Sequence, residues 1–149
     1  MQLSTNESLE PRLRTVFDRI RFASDRVRWE DELIDGMIAL EALMGDKGPS
    51  EQYKVSLRTA ILCSDSTNDR REIVRRIKAA YGLRSKVVHG GSLKSGDEAE
   101  GRVYSQLICD TVRSIVKVAI QRGWNRTRLP DPEAMDGWLL RGSIDSVEN

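Results

Sequence analysis

Arg70-Arg71-Glu72-Ile73-Val74-Arg75-Arg76-Ile77-Lys78-Ala79-Ala80-Tyr81-Gly82-Leu83-Arg84-Ser85-Lys86-Val87-Val88-His89-Gly90-Gly91 is the stretch from which the rest of the chain can be read. Ile73, Val74, Ile77, Ala80, Tyr81 and Val88 recur at helical spacing. Asn68 and Asp69 ahead of them are good N-cap residues, and Gly90-Gly91 is where a left-handed C-cap would fall. The pattern predicts one amphipathic helix of about five turns. On a wheel of ~100° per residue, Arg84 falls inside the apolar stripe, and His89 lies about 140° away beside Lys78, Gly82 and Ser85. His89 is the only histidine of the chain. An inward guanidinium needs a carboxylate or phosphate partner.

Working outward, the same periodicity predicts further helices. Leu13, Val16, Phe17, Ile20 and Val27 mark one over residues 9–28, with Pro11 in its first turn. Whether it is continuous with the next helix, Asp31 to Met44, or separated from it stays open. Gly45-Asp46-Lys47-Gly48 reads as a loop. Pro49-Ser50-Glu51 opens a third helix to Cys63, with Tyr53, Leu57, Ala60 and Ile61 as its core face. After the quoted stretch, Gly90 to Gly101 reads as loose. A long helix then runs from about Asp97 to Arg122, so widely apolar that it needs neighbours on two sides, from the domain or from another subunit. Asp131-Pro132-Glu133 caps a short last helix whose Trp138, Leu139 and Leu140 pack back on the bundle. The expected organisation is a polar, frayed segment 1–8, a helical domain 9–123 and a tail 124–149. The fold class is all-α, with four to five main helices and a short C-terminal one.

Composition narrows the function classes. With 32% charged residues, 5% aromatics and four prolines in 149 residues, the chain reads as one soluble helical domain. No apolar run approaches the roughly 20 residues that span a bilayer. Met1-Gln2-Leu3-Ser4-Thr5-Asn6-Glu7-Ser8 lacks the basic and apolar regions of a secretory signal, so a cytoplasmic location is expected. Cys63 and Cys109 sit in apolar helical patterns without any Cys/His cluster, which predicts buried free thiols and no metal site. The net charge of +1 is not that of a protein coating nucleic acid. Residues 70–89, however, hold seven Arg/Lys against one acid, Glu72. That run is either a solvated face or a contact for an anionic ligand, most naturally a phosphate backbone.

Glu41 is the odd residue of the second helix. Its wheel position lies amid Ile34, Met37, Ile38 and Met44, so it points inward and needs a partner. Pairing with Arg84 satisfies both groups, with Arg58 as the competing cation.

Three blocks carry a resemblance. Asp31-Glu32-Leu33-Ile34-Asp35-Gly36-Met37-Ile38-Ala39-Leu40-Glu41-Ala42-Leu43 is similar to the "LID-x-x-IALEAL" segment of Apea-like HEPN domains. Tyr53-Lys54-Val55-Ser56-Leu57-Arg58-Thr59-Ala60 resembles their "YKLSLRAA" segment, and Leu83-Arg84-Ser85-Lys86-Val87-Val88-His89-Gly90 their "LRSKIVHG" segment. Arg84 and His89, four residues apart, match the arginine–histidine motif of the wider superfamily. The likeness covers about residues 15–120. It implies a bundle that commonly dimerises, with the Arg/His motifs of two subunits facing one cleft. It also implies membership of a group rich in metal-independent endoribonucleases, often toxins or antiviral effectors, alongside non-catalytic binding modules. Apea-like members are often the C-terminal domain of a longer protein. Toxin-type members often carry a polar residue directly after the arginine, where this chain has Ser85.

Cleavage of RNA without a metal needs a base for the 2′-hydroxyl proton, an acid for the 5′-oxygen and positive charge on the phosphorane. Histidine can do either proton job and arginine grips phosphate bidentately. The candidate catalytic residues are therefore Arg84 and His89, with Glu41 and Ser85 orienting them. Lys54, Lys78 and Lys86 are possible RNA contacts, each also readable as solvated surface. No cofactor is expected. The expected partners are RNA and a second copy of the chain, because one ideal helix does not converge Arg84 and His89.

Overall fold

The sixteen residues Trp29–Met44 form the helix around which the others gather. The computed structural model describes residues 10–125 and 128–145, so the segment 1–8 expected to fray lies outside the described residues. These fold into six α-helices without a strand: α1 Pro11–Ser24, α2 Trp29–Met44, α3 Glu51–Cys63, α4 Thr67–Val88, α5 Asp97–Gln121 and α6 Pro132–Arg141. The chain is an all-α bundle. Leu33, Met37, Ala39, Leu40, Leu43 and Met44 of α2 are all buried, so α2 is apolar on several sides and takes several neighbours. It packs most extensively on α1 and α5, and also touches α3 and α4.

A true break separates α1 from α2. Glu10 caps α1 by accepting from the backbone N–H groups of Arg12 and Leu13, with Pro11 pre-set at the first helical position. The helix stops at Ser24, four residues short of the expected Arg28, and Val27 stands exposed outside it. Side-chain chemistry closes this corner. Arg19 Nη1 and Arg26 Nε donate to the two oxygens of the buried Asp35, at 3.0 and 2.9 Å. Extending α1 through Arg26 would pull that guanidinium off the carboxylate. Phe17, expected inward, is exposed; Leu13, Val16 and Ala23 form the buried face.

The core face of α3 differs more. Tyr53 is exposed, and Val55, Ser56, Arg58, Thr59, Ala60 and Leu62 are buried, because α3 is covered by α4 on one side and α6 on another. Arg58 is not a competitor for Glu41. Fully buried, it donates to the Met44 carbonyl and to the carboxylates of Asp46 and Asp136, tying α3 to the α2–α3 loop and to α6. A wheel treats arginine as polar and cannot foresee one with three acceptors waiting. Cys109 is buried as expected, but Cys63, the last residue of α3, is exposed.

Gly90 to Gly101 is not loose throughout. Asp97 starts α5 and accepts from the backbone N–H of Lys94 at 2.7 Å. Gly101 is buried inside α5 because the Trp29 ring lies against it: an added Cβ would sit 2.4 Å from the ring. The other buried residues of α5 include Ser105, Ile108, Val112, Ile115 and Ala119, against α2 and its neighbours, while Val103 and Ile120 remain in solvent. At the end of the chain, Asp131 caps α6 through the Ala134 N–H. Met135 and Trp138 are buried, and Trp138 stacks on Trp124 at 6.0 Å. Burying these two side chains is worth roughly 2–3 kcal/mol each, so Met135 and Trp138 hold α6 on the bundle. Leu140 does not: it is 90% exposed. No described helix is long and apolar enough to cross a membrane.

Candidate functional site

Helix α4 carries the candidate site at its C-terminal end, so its caps matter. It begins two or three residues earlier than expected. Ser66, not Asn68 or Asp69, is the N-cap, accepting from the Asp69 N–H, and Asp69 falls in the first turn where the helix dipole favours a negative charge. At the other end His89 is the C-cap, with its N–H on the Ser85 carbonyl at 3.0 Å. Gly90 takes a left-handed φ of +67°, which lets the Gly91 N–H reach back to the Lys86 carbonyl at 2.8 Å. This is the Schellman ending that Gly90-Gly91 predicts. It fixes where His89 leaves the helix.

The two wheel outliers meet. Arg84 Nη1 donates to Glu41 Oε1 at 2.6 Å, with the side chains 26% and 22% exposed. The pair therefore sits at the rim where α2 and α4 touch, neither deep in the core nor in bulk solvent. Ile77, Ala80 and Leu83 make the buried face of α4. Val88, placed on that face by periodicity, is exposed, and Val87 packs against the core in its stead.

Arg84, Ser85 and His89 border one shallow depression of about 230 Å³, completed by Tyr81 and Val88. The wheel angle between Arg84 and His89 suggests that a single chain does not bring them together. One protomer does bring them to a common depression, since Tyr81, Arg84, Ser85 and Val88 are helical neighbours and His89 borders them from the cap. Ser85 and His89 are exposed, so a ligand can reach both.

The three lysines stand elsewhere. Lys54 Nζ bonds Asp46 at 2.8 Å, Lys78 lies over the Tyr53 ring at 5.8 Å, and Lys86 faces Asp97 at 3.7 Å. None lines the depression. Lys54 and the Gly48 N–H, with Arg58 behind them, hold the Asp46 carboxyl at about 2, against an ordinary 3.8.

Tyr81 is the residue that sequence reasoning missed. It counts as part of the apolar stripe, yet its hydroxyl is buried and faces the Glu41 carboxylate, with no hydrogen bond of ordinary length among the described residues. Burial, followed by the negative charge of Glu41 and a hydrogen bond donated toward it, holds its proton far above the ordinary phenol range. Its position one turn ahead of Ser85 was the only available signal. Among the described residues no group of three or more His, Cys, Asp or Glu is arranged to hold a metal ion.

Together these features define a class: a helical bundle with an accessible Arg/Ser/His depression at one helix end, backed by a carboxylate. No family model, curated protein or solved structure matches the chain.

Proposed function

We propose that this chain is a HEPN-type endoribonuclease domain of the toxin or antiviral kind, cutting RNA without a metal at a site shared by two copies. The observation that carries the reading is the convergence of Arg84, Ser85 and His89 on one open depression, with Glu41 behind Arg84. Glu41 takes one N–H of the guanidinium, and the donors left over suit phosphate oxygens. In the cleavage step the 2′-oxygen attacks phosphorus, its proton passes to a base, the P–O5′ bond breaks and an acid protonates the leaving oxygen. The products are a 2′,3′-cyclic phosphate and a free 5′-hydroxyl. His89 serves one proton transfer, and the His89 of a second copy serves the other.

A second reading, a phosphate-binding module without catalysis, is favoured by two features. Each copy offers a single histidine at the depression, and Glu41 already balances the charge of Arg84. The two are separated by RNA cleavage with EDTA present, comparing wild type with His89→Ala. Loss of a proton-transfer group costs about 10²- to 10⁴-fold in rate. A wild type that cuts nothing, or a variant that cuts equally well, removes the nuclease reading. Light scattering that finds a strict monomer at micromolar concentration removes the shared site.

A further inference from the structure

Helix α5 is apolar over more of its surface than its neighbours cover. Ser105, Ile108, Val112, Ile115 and Ala119 turn into the core. A second stripe, Val103, Leu107, Ser114 and Val118, recurs at helical spacing within about 60° of the helix surface and runs for about 22 Å along it. Val103 is 64% exposed, Leu107 and Val118 are half-buried, and neither Val103 nor Leu107 joins the core cluster. Along the stripe lies a depression of about 330 Å³, completed by Leu62 and Cys63 of α3 and Ile73 of α4.

The order of residues along the stripe points to what covers it. Val103 and Val118 lie equally far from the midpoint between Asp110 and Thr111, and so do Leu107 and Ser114. A second α5 laid antiparallel about a two-fold axis at that midpoint therefore sets Val103 against Val118. It also sets the large Leu107 over the small Ser114, where the depression leaves room. The same operation matches charge. Helix α5 opens on Asp97, Glu98 and Glu100 and closes on Lys117 and its C-cap Arg122, so the acidic end of one helix lies along the basic end of the other. Glu100 and Lys117 are exposed and have no ion pair among the described residues. Asp110, beside the axis, already holds Arg113 at 2.8 Å and Gln106 at 3.0 Å, so no bare charge is buried there.

We propose that the Val103–Leu107–Ser114–Val118 face of α5 is an isologous interface on which a second copy of the chain sits. Lys86 faces Asp97 at 3.7 Å, so the His89 end of α4 lies by the first turn of α5. Antiparallel pairing of α5 then sends the two His89 residues to opposite ends of the pair. This contact is therefore separate from the one that a shared cleavage site uses, and a chain with both assembles beyond a dimer.

Light scattering at micromolar concentration, with Val103→Glu, Leu107→Asp and Ile120→Glu beside wild type, tests the face. Ile120 is the control: 54% exposed on the same helix, but off the stripe. Val103→Glu and Leu107→Asp each halve the wild-type mass with helical circular dichroism unchanged, because neither side chain belongs to the core. Ile120→Glu keeps the wild-type mass. A monomeric wild type overturns the proposal, as does an undiminished mass in both stripe variants, which would leave the face to a different partner. An equal loss in Ile120→Glu overturns it too, since that side chain lies outside the stripe. A wild type of more than two copies that falls to two in Leu107→Asp supports both contacts. A dimer that falls to a monomer supports this contact and removes the shared cleavage site.

Discussion

Replacing Arg58 by methionine tests the fold at its most unusual point. The guanidinium has no exposed surface, and its three acceptors fare differently once it is gone. Asp136 is 49% exposed and rehydrates, and Asp46 keeps Lys54 and the Gly48 N–H. The Met44 carbonyl, on a buried residue, loses the donor that reached it at 2.8 Å. A lone buried acceptor costs about 1–3 kcal/mol, while methionine preserves much of the packing of the arginine stem. The full penalty for breaking a buried pair, about 3–5 kcal/mol, is discounted because the carboxylates retain water or other partners. The expected loss is about 2–3 kcal/mol, a fall in Tm of roughly 4–12 °C for a domain of this size. Asp136→Asn touches only the half-exposed partner and should cost under about 1 kcal/mol. Urea titration followed by helical circular dichroism measures both. The reasoning is refuted if Arg58→Met is as stable as wild type, or if Asp136→Asn is the more damaging of the two.

Gly101→Ala should push the Trp29 ring out of its place, since the new methyl would lie 2.4 Å from it. Overpacking of this kind costs about 1–3 kcal/mol, read as a lower Tm with altered tryptophan fluorescence. The acid limb of the stability curve should carry a contribution from Asp46. Its folded pKa, about 2, lies below the ordinary 3.8, so its stabilisation is complete above about pH 4 and disappears as pH falls toward 2. Asp46→Asn should flatten that limb, as pH-dependent thermal melts would show.

Helix ends were the most legible in the sequence: Pro11 in a first turn, the Gly90 ending and the Asp131 cap are each present, although the N-cap of α4 is Ser66 rather than Asn68 or Asp69. The outlier pair Glu41–Arg84 joins two helices and was legible only because two inward charges of opposite sign need each other. Where a second or third element decides burial, periodicity failed. Arg58 is inside because the α2–α3 loop and α6 bring it acceptors, while Tyr53 and Phe17 are outside because no element covers them. The site divides the same way. Arg84, Ser85 and His89 lie on one short stretch and are found together, whereas the buried Tyr81 hydroxyl faces Glu41 of α2, a neighbour that its own helix does not reveal.

The basic helix ends up less basic in space than on paper. Of its seven cations, Arg70 faces Asp65, Arg75 and Arg76 share Glu72, Arg84 has Glu41, Lys86 faces Asp97 and Lys78 lies on an aromatic ring. Paired charges project little field beyond the Debye length, about 8 Å in physiological salt. A polyanion approaching this face would therefore be held more by contact, and drawn in from afar less, than the run of seven cations suggests. Its arrival rate would gain less from steering, and its affinity would depend less steeply on salt, than seven unpaired cations would give.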